Sequence, residues 1–174
     1  GSLVGLTDLP QCGAHVDIVD LGRLERLVDR LEAEIRSRQR TVGSERARLL
    51  LLVDDWDVLA AGAGSLDHAV LLHRLWGLLR EGEAHGLTAV VSGDRSLLLG
   101  RVASVVSRRV LLRLADRTDA ALAGLPATAL PADPPPGRGV LGDGTEVQLA
   151  AGPARPALRT TRGPGTGLLR RAPW

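Results

Sequence analysis

Arg48-Leu49-Leu50-Leu51-Leu52-Val53-Asp54-Asp55-Trp56 is the stretch on which the reading of this chain turns. Five apolar residues in a row, Leu49 to Val53, predict a strand buried on both faces of a parallel sheet. Ionised carboxylates are costly to bury unpaired, so Asp54 and Asp55 belong at the strand's carboxyl end. Open α/β sheets bind ligands at that end.

Working outward, His15-Val16-Asp17-Ile18-Val19 alternates and reads as a short strand, after which Asp20 caps a helix. Leu21, Leu24, Val28, Leu31 and Ile35 recur there at spacings of three and four, which puts them on one face as far as Arg40. Gly43 and Ser44 end it. Beyond β-type Leu49–Val53, Gly62 to Gly64 form a break and Ser65 caps a second helix, whose buried face is expected to carry Leu66, Ala69, Val70, His73, Trp76 and Leu79. Gly86 introduces a strand, Leu87-Thr88-Ala89-Val90-Val91, ending in Ser92-Gly93-Asp94-Arg95. A third helix is expected over about 96–106, a third apolar strand over 109–114, and a short helix from Thr118 or Asp119. Strands alternating with helices imply βαβ units, hence an α/β fold with a mainly parallel sheet flanked by helices.

Nine of the ten prolines lie at or beyond Pro126. Past Pro134-Pro135-Pro136, residues 139–149 read as a hairpin with a tight Asp143-Gly144 turn. No periodic pattern survives after Ala150, so residues 1–150 are expected to form one domain and residues 151–174 a disordered basic tail. All 20 acidic residues and 17 of the 22 arginines precede position 151, a balance of −3, while the tail carries five arginines and no acid. Such a tail suits an anionic partner, nucleic acid or lipid, or a solvated linker.

The chain lacks Lys, Phe, Tyr, Met and Asn, residues with AT-rich codons, and this bias reads as that of a GC-rich genome. The universal use of Arg therefore need not mean phosphate recognition. One cysteine, Cys12, excludes an internal disulfide framework and, without a histidine companion pattern, is not read as a nucleophile. His15, His68, His73 and His85 show no ligand spacing and read as structural or solvated. No apolar run is long enough to span a bilayer and no signal peptide is visible, so a cytoplasmic setting is expected. The Gly-Ser start reads as that of a piece of a longer protein.

A hydrophobic strand with an acidic tip is the pattern of a Walker B motif, which holds the magnesium of a bound nucleotide. There is no G-x-x-x-x-G-K-[ST] loop to hold the phosphates. The order of signals adds to this: the helix over 21–40, Leu49–Asp55, a helix, Gly86–Arg95, Val110–Asp119, Leu122-Ala123-Gly124-Leu125-Pro126, Pro135–Gly139 and Glu146-Val147-Gln148. Over about residues 3–150 the chain resembles the FtsK/SpoIIIE superfamily of hexameric motor ATPases, most of all the multi-domain EccC/EssC branch of type VII secretion.

The resemblance implies a partial RecA-like P-loop NTPase core that begins after its phosphate loop. It implies that Asp54 holds magnesium through water and that Asp55 stands where active members carry a glutamate that polarises the attacking water. Asp94 and Arg95 match the strand-end position of a γ-phosphate sensor, and Arg138 a family-typical basic position. Asp55 is one methylene shorter than glutamate, and Asp94 repels phosphate where an amide would donate. ATP and magnesium are the implied cofactors. The implied partners are a homo-hexamer or neighbouring ATPase domains, with DNA or a secreted protein as cargo and a parent anchored to the cell membrane. Two other readings stand beside the motor: a degenerate ATPase module kept as a scaffold or docking domain, and a signalling NTPase with a similar strand.

Overall fold

The structure, a computed structural model, describes residues 2–40, 47–62 and 64–150, which fall into two compact units dividing between Asp94 and Arg95. The expected disorder of residues 151–174 and the helix stop at Gly43 and Ser44 lie outside the described residues. No helix among the described residues is long and apolar enough to cross a membrane.

In the first unit, residues 15–19 form no strand. The Asp17 carboxylate accepts from the Val19 N–H at 3.2 Å and its carbonyl from the Asp20 N–H at 3.0 Å, so the acid closes a turn instead of extending the chain. Helix α1 spans Leu21–Arg40 and is capped as expected, Asp20 Oδ1 accepting from the Arg23 N–H at 3.0 Å. Leu24, Val28 and Ile35 are its buried residues.

Strand β1, Leu49–Val53, is followed by a short helix α2, Trp56–Ala61, and by α3, Leu66–Glu81, with Ser65 accepting from the His68 N–H. The buried stripe of α3 is His68, Leu71, Leu75 and Leu78, whereas Leu66 and Val70 are exposed and His73 faces solvent. The α3 sequence holds two overlapping apolar stripes, and the one containing His68 turns inward because its Nε2–H donates to the Leu59 carbonyl at 2.7 Å.

Strand β2, Leu87–Val91, pairs parallel with β1 from Leu49↔Leu87 to Val53↔Val91, which gives the expected β-helix-β order. The inner face of the pair carries Leu49, Leu51, Val53, Leu87, Ala89 and Val91. The outer face is open: Leu50 is 62% and Val90 54% exposed, so β1 is not covered on both faces. Arg38 joins α1 to the entry of both strands, donating to the His85 carbonyl at 3.1 Å and the Ala47 carbonyl at 2.9 Å. Arg74 links α3 back to α1 with a two-pronged contact to Glu32, 2.9 Å on each prong, and a bond to Asp29 at 2.5 Å.

In the second unit, the expected helix over 96–106 is a 3-10 turn, Arg95–Leu98, and a separate helix α4, Gly100–Val105. Extended Leu99 and Gly100 at φ +66° break the run. The third strand is only two residues long: β3, Val110–Leu111. It pairs antiparallel with β4, Arg138–Leu141, which pairs antiparallel with β5, Glu146–Gln148. It therefore joins the hairpin and adds no parallel strand to β1 and β2. Leu111 is buried between the half-exposed Val110 and Leu112, the one-sided burial of an antiparallel strand. A Cβ at Gly139 would stand 2.8 Å from the Leu111 carbonyl, so the close approach of β4 needs glycine there.

Leu111, Ala120, Leu125, Leu130 and Val140 form this unit's core. The short helix is a 3-10 segment, Arg117–Ala123, started by Asp116, whose carboxylate accepts from the Thr118 N–H at 2.8 Å and hydroxyl at 2.7 Å. Those bonds hold the Asp116 carboxyl below the usual carboxylate range. The hairpin turn is as expected, with Gly144 at φ +86° and Asp143 accepting from the Thr145 N–H at 2.9 Å.

Candidate functional site at the carboxyl end of the parallel strands

Because β1 and β2 run parallel and end in register, the residues that follow Val53 and Val91 meet. Ser92 is the hub of that junction. Its N–H donates to the Val53 carbonyl at 2.8 Å, and its carbonyl accepts from the Trp56 N–H at 2.9 Å. Its hydroxyl donates to Asp54 Oδ1 and accepts from the Asp55 N–H at 3.3 Å. One side chain thus orients the Asp54 carboxylate and holds the backbone of the next residue.

Asp55 has φ 55° and ψ 53°, and it is the one positive-φ residue other than glycine among the described residues. This left-handed geometry turns the chain sharply from β1 into α2, with the Asp55 carbonyl accepting from the Val58 N–H at 3.0 Å and the Leu59 N–H at 3.2 Å. Aspartate tolerates the conformation better than most residues, and such strain collects at functional positions. The Asp55 side chain is left exposed, whereas Asp54 is half-buried. Asp57, in the first turn of α2, accepts from the Asp94 N–H at 3.3 Å, which fixes the backbone after β2.

The structure brings Asp54, Asp55 and Asp94 to one end of one strand pair, and adds Asp57 and Ser92. Equal strand lengths, LLLLV beside LTAVV, are the signal that places Ser92 next to Asp54. The left-handed turn at Asp55 has no such signal.

Arg95 and Arg138 belong to the second unit and have partners there. Arg95 Nη1 lies 3.5 Å from Asp119. Arg138 spans the hairpin, donating to Gln148 at 3.1 Å and Glu146 at 2.9 Å. In the basic group around β3, Arg113 lies 4.0 Å from Asp133 and Arg109 donates to the Ala103 carbonyl.

Among the described residues no three His, Cys, Asp or Glu side chains come together as a metal cage. That arrangement still fits magnesium, which is held by one or two carboxylates, waters and substrate phosphates in preference to an all-protein shell. The sequence has neither a Walker A loop nor a lysine to set beside it. The groove between α1 and α3 is lined by Glu32, Arg36, His73, Arg74 and Glu81; Glu32 pairs with Arg36 and Arg74, and Glu81 with Arg80.

No family model matches the chain, and no curated protein or solved structure matches it.

Proposed function

We propose that this chain supplies the magnesium side of an ATP site, in an α/β domain similar to the FtsK/SpoIIIE motor ATPases. The observation that carries the reading is the Ser92 hydroxyl bound to Asp54 at the joint end of two parallel strands. A carboxylate held there by a neighbouring strand is oriented before any ion arrives, so little ordering remains to be done on binding.

Asp54 would hold the ion through water, and the ion would neutralise charge on the phosphates. Asp55 would face the attacking water from an exposed, backbone-fixed position, with a reach shortened by one methylene. A misplacement of about 1 Å can cost roughly 100-fold in rate. The phosphates need a cradle from outside these residues, and the 174-residue chain alone is expected to release no phosphate from ATP. The work of the assembled ATPase would be movement of DNA or a secreted protein through a hexamer.

A second reading has its own support: acids at both Asp55 and Asp94 favour a degenerate module acting as a scaffold. Manganese, a paramagnetic stand-in for magnesium, separates the two. At millimolar manganese without nucleotide, amide signals of residues 53–57 and 92–94 are expected to broaden, and Asp54→Asn should abolish the effect. Broadening that survives Asp54→Asn would remove Asp54 from the site. Absence of local broadening in the folded parent chain would leave the scaffold.

A further inference from the structure

β1 has one strand neighbour, β2, and among the described residues no strand pairs with its other edge. The Leu49 N–H donates to the Gly86 carbonyl and the Val53 carbonyl accepts from the Ser92 N–H, so the odd-numbered residues of β1 address β2. By the alternation of a parallel ladder, the main-chain groups of Leu50 and Leu52 point to the open edge. Nothing within Leu49–Val53 guards that edge: there is no charge, no proline and no bulge. A two-stranded sheet is marginal in water and gains from further strands.

The residues flanking β1 say what suits this edge. Exposed Arg48 stands at one end and Asp54 at the other. We propose that β1 pairs antiparallel with β1 of a second copy of this chain, about a two-fold axis through Leu51. In that register Leu50 lies opposite Leu52 of the second copy as a hydrogen-bonded pair, both with main-chain groups pointing outward. Arg48 lies opposite Asp54 of the second copy, and the symmetry repeats both pairs. Shifting the register by two residues keeps the hydrogen-bond alternation but separates Arg48 from Asp54. Charge complementarity thus selects a copy of the same strand, and the product is a sheet of four strands, β2-β1-β1-β2, that continues the ladder already present. The outer-face leucines are also brought together, covering part of the exposed surface at Leu50.

This pairing does not rest on the magnesium reading, although both draw on the Asp54 carboxylate, so magnesium and Arg48 of the second copy would compete for it. Mass by light scattering or sedimentation, taken without metal or nucleotide, tests it on the full chain. The parent is expected to dimerise in the micromolar range. Leu50→Lys, at a position 62% exposed and so neutral to the fold of one copy, should weaken the dimer about tenfold or more. Arg48→Glu should do the same by setting acids opposite each other. Chains carrying Arg48→Glu mixed with chains carrying Asp54→Arg should form heterodimers although each alone is monomeric; circular dichroism establishes that each variant is folded. A monomeric parent would overturn the proposal, and so would a dimer indifferent to Leu50→Lys and Arg48→Glu. Should Asp54→Arg not fold, those two variants decide the matter alone.

Discussion

At the scale of the residue, Asp55 and Ser92 separate what the backbone needs from what chemistry could use. Asp55 sits at φ 55°, where a Cβ crowds the backbone and glycine is at ease. Asp55→Gly is therefore expected to leave stability unchanged or raised by about 0.5 kcal/mol, whereas Asp55→Ala should lower it by about 1 kcal/mol. Urea unfolding of the two variants checks the order; an alanine variant as stable as the glycine one would contradict the strain. Ser92→Ala removes the hydroxyl shared by Asp54 and the Asp55 N–H, and a loss of about 1–2 kcal/mol is expected at this junction. The place of Asp54 at the strand's carboxyl end could be read from sequence, because a charge must leave an apolar strand. The left-handed turn at Asp55 could not, because aspartate is also at home in ordinary turns and caps.

At the scale of the element, α1, β1, β2 and the hairpin could be read directly, each marked by a period, a cap, an apolar run or an Asp-Gly turn. The buried face of α3 could not, because its two stripes are nearly equal in apolar content and the His68 bond to Leu59 decides between them. Nor could the sheet joined by β3, since a run such as Val110-Leu111-Leu112 suits either kind of ladder until Gly139 is seen to admit β4. The contact between α1 and α3 makes a prediction about pH. Glu32 is held below its ordinary value of 4.5, first by the hydrogen bond from Arg74, against a desolvation that acts the other way. A carboxyl lowered in the folded state adds stability above 4.5 and loses it as the pH falls through the folded value. Glu32→Gln should thus cost about 1 kcal/mol at neutral pH, with the gap to the parent closing in acid. Denaturation curves at neutral pH and below 4.5 test this, and a gap that stayed constant would refute it.

At the scale of the whole molecule, charge is divided along the chain: five arginines after position 150 set against a balance of −3 before it. Retention on heparin at neutral pH is expected for the full chain and should be lost when residues 151–174 are removed. Equal retention of both would assign the anion affinity to the arginines of residues 1–150. The parallel pair has a further consequence for the chain as it is made. Asp54 waits for a serine 38 residues later, and parallel pairing cannot begin until that serine has been synthesised. At about 5–20 residues per second, β1 leaves the ribosome roughly 2–8 s before the end of its partner strand. Throughout that interval Leu49–Val53 is an uncharged strand without a ladder, so chaperone capture during translation should concentrate on the growing chain between these two points and fall away once Ser92 emerges.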